Sequence, residues 1–229
     1  MLKVKTVDPL QSIEWFKQGW RMFMTNPVNW ALMGLLFGVI VLVLSMLPFI
    51  GALVLNLVMP ILTGGMLLAV KNTQAGAAVE ITDLFRVFKD EPKRNQLLVV
   101  GALMLGAGLV AAVLSTLFVG NAIRIDELTG MPSFNLGLSA LLFMFVVVIF
   151  LGMLFTYAPA LVVFEGMSAV DAVKGSLQGA WANVLPFIVF VLLYAALAFV
   201  ASIPFMLGFV VLIPVMMGAV YAGYKDIFR

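Results

Sequence analysis

Apolar residues run almost unbroken through four stretches of the chain, and the charged residues gather in the gaps between them. Arg21 to Lys71 encloses 49 residues without Asp, Glu, Lys or Arg, Arg94 to Arg124 encloses 29, Glu127 to Glu165 encloses 37, and Lys174 to Lys225 encloses 50. A helix that spans a bilayer needs about 20 apolar residues. The two longest stretches therefore hold two spans each, and the shorter two hold one each. Pro48 and Pro204 supply the turn signals that divide the long stretches. The pattern predicts an all-α, polytopic membrane protein with six transmembrane helices near 29–47, 50–70, 97–119, 138–160, 185–203 and 206–224.

A second pattern precedes the spans. Between Ser12 and Asn26, Ile13, Phe16, Trp20, Phe23 and Met24 recur at helical spacing, opposite Glu14, Lys17, Gln18, Arg21 and Thr25. Between Ser168 and Asn183, Val170, Val173, Leu177 and Trp181 oppose Asp171, Lys174 and Gln178, and Ser168 with Asp171 forms a helix-start signal. Thr82 to Lys89 is a shorter version. Each segment is expected to be an amphipathic helix lying in the membrane interface and leading into a hairpin of two spans. Three such units, 9–70, 82–160 and 168–226, make one membrane domain of parallel repeats. The second span of each unit carries a proline, Pro60, Pro159 or Pro214, and glycine follows four residues after two of them, at Gly64 and Gly218.

Charge fixes the expected orientation. Of the 13 Lys and Arg residues only Arg124 falls on one side of the predicted spans. Cytoplasmic loops hold the excess of Lys and Arg, so both termini are expected in the cytoplasm. All four tryptophans, Trp15, Trp20, Trp30 and Trp181, fall near the same boundary, where amphipathic rings are favoured. The net charge of +2 reflects this loop bias and not a nucleic-acid surface. The first apolar run is too long for the core of a signal peptide and leads into a second span, so no cleavable signal is expected.

Candidate chemistry is sparse. The chain has no histidine and no cysteine, and no predicted span contains Asp, Glu, Lys or Arg. Proton relays and ion pathways rest on such groups, and catalytic zinc rests on His or Cys ligands. Neither an enzyme nor a bound cofactor is expected. Asn56, Thr63, Thr156 and Tyr157 are the polar groups at depth, and the expectation for them is interhelical hydrogen bonding. The alternative is that they line a cavity among helices kinked at Pro60, Pro159 and Pro214. Gly34-x-x-x-Gly38, Gly218-x-x-x-Ala222 and Ala219-x-x-x-Gly223 are spacings that let helices approach closely. Lys17, Trp20, Arg21, Lys174 and Trp181 are the candidate lipid-interface residues, because amphipathic segments carrying Trp and Lys or Arg recur at one interface.

Ala158-Pro159, Glu165, Ser168, Lys174-x-Ser176 and Asn183 form a pattern that resembles the bacterial YciC-like inner-membrane proteins. It is also similar to the membrane domain attached to some glycerophosphodiester phosphodiesterases. Gly19-Trp20, Asn26-Pro27-x-x-Trp30 and Gly64-Gly65 resemble small bacterial membrane proteins of the same wider set. The resemblance implies a bacterial inner-membrane location and an association with envelope or lipid biology, and it brings no catalytic residue with it. The leading expectation is a non-enzymatic protein that binds membrane lipids or another membrane protein. The alternative is a small permease or passive carrier for an amphiphilic, lipid-like substrate.

Overall fold

The structure is a computed structural model and describes residues 3–119, 123–125, 132–134 and 137–229. The fold is helical, and among the described residues six helices are long and apolar enough to cross a membrane. Helix α1 (Gln11–Thr25) leads through Asn26 into α2 (Pro27–Ser45), which turns into α3 (Ile50–Gln74). A 3-10 turn (Ile81–Phe85) and the short α4 (Arg86–Lys89) precede α5 (Glu91–Val119). Helix α6 (Leu138–Phe155) continues after a break as α7 (Ala158–Glu165), followed by α8 (Ala169–Ala182), α9 (Val184–Ser202) and α10 (Phe209–Phe228). Between α5 and α6 the short strands β1 (Ile123–Ile125) and β2 (Pro132–Phe134) pair antiparallel, with Arg124 opposite Ser133. The spans match the expected ones to within a few residues at most ends, except that α5 and the α6–α7 pair extend further at their charged ends.

Local chemistry explains the boundaries. Asn26 separates α1 from α2 and its side chain accepts from the Asn29 N–H, with Pro27 opening the new helix. Ser168 caps α8 by accepting from the Asp171 N–H at 3.2 Å. Gly166 ends α7 in the left-handed conformation (φ 65°). Asp90 opens α5, and the Lys93 ammonium that donates to it at 2.6 Å holds its carboxyl below the usual carboxylate range. Pro159 has no N–H for the Phe155 carbonyl, and the helix breaks at Thr156 and Tyr157. Ser176 bridges that break: its Oγ accepts from the Tyr157 N–H at 3.1 Å and donates to the Met153 carbonyl at 2.8 Å. The turns after α2 and α9 contain no charged side chain, and Phe49, Phe205 and Met206 carry positive φ there.

The amphipathic segments pack in a cyclic order. Helix α1 lies on α10, the 3-10 turn and α4 lie on α3, and α8 lies on α6 and α7. Each segment thus covers the proline-bearing helix that precedes it, and the first covers the last. Contacts step in opposite directions along α1 and α10. Trp15 Nε1 and Gln11 Nε2 donate to Asp226, whereas a Cβ on Gly19 would meet the Val215 carbonyl. From Asp226 to Val215 is about 16 Å along a helix, so α1 runs back along α10 and does not cross it as a helix perpendicular to the bundle would.

The buried faces differ from the expected ones. Helix α1 buries Ser12, Trp15, Phe16, Gly19, Met22 and Phe23, while Ile13, Trp20 and Met24 stay exposed. Helix α8 buries Ala169, Ala172, Gly175, Ser176, Gly179 and Ala180, and turns Val170 and Trp181 outward. The reason is the solvent. Lipid is as apolar as a large side chain, so helices associate through small residues that permit close backbone contact. The tryptophans divide: Trp15, whose indole N–H donates to Asp226, and Trp30 are fully buried, while Trp20 and Trp181 are exposed. Gly34 lies against the Val210 carbonyl and Gly218 against the Cα of Gly19, but Gly38 faces open space.

Both termini lie at one end of the bundle. The Lys5 N–H donates to the Ile227 carbonyl at 2.8 Å, and Asn183 holds the same strand of chain from Lys5 to Val7.

Candidate functional site

Two concave regions gather the candidate residues. The first is a lateral groove of about 640 Å³ between α1, α9 and α10. Its walls are apolar: Leu193, Leu197 and Val200 from α9, and Val211, Leu212 and Val215 from α10. Helix α1 contributes Ile13, Phe16 and Trp20 together with Lys17 and Arg21, the charged groups of the lining. Gly19 sets this geometry, since its bare Cα lets α1 settle on α10 and leaves residues 13, 17, 20 and 21 facing α9 across the groove. Glu14 pairs with Lys17 at 3.4 Å and with Arg21 at 3.3 Å, and both cations remain more than half exposed. Two cations against one carboxylate leave a net positive edge on an apolar trough.

The second is a central cleft of about 540 Å³. Its main walls are α3, the α6–α7 pair and α10, the helices that carry Pro60, Pro159 and Pro214. Asn56, Pro60 and Thr63 face it from α3, and Thr156 and Pro159 from the break between α6 and α7. Pro214 does not line the cleft; its neighbours Ile213, Met216 and Met217 do. Instead the Pro214 ring packs where a Cβ on Gly34 would stand, 3.1 Å away. Phe37, Met104, Gly108 and Tyr194 complete the lining from α2, α5 and α9.

The prolines act differently around this cleft. Each proline leaves the carbonyl four residues earlier without its helical donor. For Pro214 that carbonyl is Val210, and Gly34 of α2 approaches it so closely that a Cβ would stand 2.3 Å from the oxygen. For Pro60 it is Asn56, and Gly101 of α5 does the same at 2.3 Å. These glycines bring Cα–H groups onto the freed oxygens, a weak but recurrent contact. For Pro159 it is Phe155, a residue that lines the cleft.

The polar groups at depth do not make the expected interhelical hydrogen bonds. Among the described residues, Thr25, Ser45, Ser115, Thr116 and Ser202 each donate to the carbonyl three residues earlier at 2.6–2.7 Å. Thr63 and Thr156 do not, and their hydroxyls have no partner. Asn56 Nδ2 donates within its own helix to the Ala52 carbonyl at 2.9 Å, which leaves its side-chain oxygen free. Tyr157 is fully buried with its hydroxyl unpartnered. Asn56, Thr63 and Thr156 line the central cleft, and among the described residues none of the three bonds through its side chain to another helix.

The remaining candidates lie elsewhere. Lys174 and Trp181 are exposed on α8 and line neither concavity. The residues that carry the family resemblance have packing duties. Pro159 breaks the helix, Ser168 caps α8, Ser176 bridges the break and Asn183 clamps the N-terminal strand. Glu165 accepts from the Tyr224 hydroxyl and from Arg229. Sequence reasoning missed Tyr194 and the cluster of Met59, Met104, Met216 and Met217 in the cleft. The 15 methionines of the chain were the available signal, since flexible thioethers often line adaptable sites.

No protein-family model matches the chain, and no solved structure matches it. A probable inner membrane protein of Burkholderia thailandensis is 28% identical over 195 residues, covering 80% of this chain and 72% of that protein. With its six apolar helices and this similarity, the chain is a multi-pass inner-membrane protein.

Proposed function

We propose that the protein is a non-enzymatic membrane component that retains an anionic phospholipid in the groove between α1, α9 and α10. The carrying observation is the pairing of Lys17 and Arg21, on one edge, with an otherwise apolar trough. In this reading the phosphate lies against the two cations and an acyl chain follows Leu193, Leu197 and Val200. Burial of the chain gives little selectivity, because surrounding lipid is equally apolar. Discrimination must come from charge-assisted hydrogen bonds to the phosphate. The existing pairs with Glu14 are exposed, and pairs of that kind contribute only about 0–1 kcal/mol, so an incoming phosphate can share the cations. The termini and the basic loops are placed at the cytoplasmic face in this reading; α1, expected to lie in the membrane plane, instead runs along the spanning helix α10 because Gly19 lets the two backbones pack side by side.

The test is the lipid that stays with protein purified in mild detergent, read by native mass spectrometry. Replacing Lys17 and Arg21 together by Gln is expected to lower retained phosphatidylglycerol relative to phosphatidylethanolamine by about ten-fold, the worth of one charged hydrogen bond. Lys174→Gln, off the groove, is the control and is expected to leave the ratio unchanged. Equal retention by the double variant and the wild type removes the site.

A second reading, a passive carrier for an amphiphile, draws on the central cleft and its Asn56, Thr63 and Thr156. Substrate flux across reconstituted vesicles that requires the protein supports it.

A further inference from the structure

We propose that the central cleft is a binding site for an uncharged, hydroxyl-bearing lipid of the diacylglycerol type. It is distinct from the anionic-lipid groove and does not rest on it. The argument starts from the hydroxyls. A Thr or Ser in an apolar helix normally satisfies itself by donating back to the preceding turn, as Thr25, Ser45, Ser115, Thr116 and Ser202 do here. Thr63 and Thr156 both line the cleft and both lack that bond. The Asn56 side-chain oxygen is a third free acceptor, and its amide nitrogen spends one of its two N–H groups on the Ala52 carbonyl. Phe155 also lines the cleft, and Pro159 leaves its carbonyl without a helical donor.

These groups select a ligand by its chemistry. Acceptors outnumber donors, so the head must donate, and the two threonine hydroxyls also let it accept. A hydroxyl meets both requirements. No charged side chain lines the cleft, so a phosphate or carboxylate would be desolvated without a counter-charge, and an ammonium would meet no carboxylate. A plain hydrocarbon would leave the hydroxyls unpaired. About 540 Å³ lies in the range of small-molecule sites and accommodates a glycerol head with the first part of its chains. Met59, Met104, Met216 and Met217 give those chains an adaptable apolar wall.

Gly108 provides the reporter. It lines the cleft, a Cβ there meets nothing within 4 Å, and the chain has no other cysteine. The rate of N-ethylmaleimide reaction at Gly108→Cys is measured on purified protein with added dioctanoylglycerol. At least a five-fold slowing is expected. The same slowing is not expected from dioctanoyl phosphatidic acid or from the acetylated triester, which lacks the hydroxyl. Combining Thr63→Val with Thr156→Val is expected to abolish the protection while leaving thermal unfolding near that of Gly108→Cys alone. Retention of dioctanoylglycerol by otherwise unaltered protein, with and without the two Val substitutions, is read in parallel by native mass spectrometry.

Equal protection by the triester, protection by phosphatidic acid alone, or no protection overturns the proposal. Lys17→Gln with Arg21→Gln separates the two sites: protection that survives it supports the cleft, and protection lost with it assigns the probe to the groove and overturns the proposal.

Discussion

Gly19 is the position at which one atom decides whether α1 can occupy its place. A Cβ there would stand 2.1 Å from the Val215 carbonyl oxygen and 3.0 Å from the Ala219 nitrogen. A carbon normally approaches a carbonyl oxygen to about 3.3 Å, so Gly19→Ala requires α1 to recede by roughly 1 Å. Both contacts are to backbone, which cannot rotate aside as a flexible side chain could. Overpacking of this kind costs about 1–3 kcal/mol, and the shift also stretches the 2.8 Å hydrogen bond from Trp15 to Asp226. Gly38→Ala is the matched control: the same substitution in a helix, with nothing within 4 Å of the new Cβ. There the lower chain entropy of alanine is expected to stabilise by about 0.5–1 kcal/mol. The two variants are thus separated by about 2 kcal/mol or more, with opposite signs relative to wild type. Thermal unfolding in mild detergent, followed by tryptophan emission, reads both effects. Gly19→Ala is expected to unfold earlier and to emit to the red as Trp15 gains access to solvent. Equal stability of the two variants would falsify the account of α1 docking.

Ser176→Ala removes the hydroxyl that joins the Tyr157 N–H to the Met153 carbonyl in a buried setting. Leaving both unpaired is expected to cost about 1–3 kcal/mol, seen as earlier thermal unfolding, whereas exposed Ser168 replaced by Asp, which can still cap α8, is expected to change little. Orientation is checked with single cysteines in intact cells, using an impermeant thiol reagent. Arg124→Cys is expected to react from the periplasmic side, and Lys89→Cys and Lys174→Cys to stay protected; the reverse pattern overturns the cytoplasmic placement of the termini.

The residue pattern alone determined the class of fold and the number of spans. Burying about 20 residues in hydrocarbon demands an uninterrupted apolar run, and such a run is legible without partners. The Ser168 cap was legible for the same reason, since it acts within a few residues of itself. Five of the six cavity candidates named from sequence line the central cleft; they could be named because proline, asparagine and threonine are conspicuous in an apolar helix. Tertiary structure decided which face each amphipathic segment buries. Amphipathic spacing identifies a polar and an apolar side, but in lipid the apolar side gains nothing by facing protein, so small residues such as Gly19, Ala172 and Gly179 took the inner face. It also decided that Thr63 and Thr156 stand unpaired around one cleft while Pro214 packs on Gly34. These outcomes depend on how closely distant helices approach, a distance that Gly34 and Gly101 set by lacking a side chain and that no local spacing encodes.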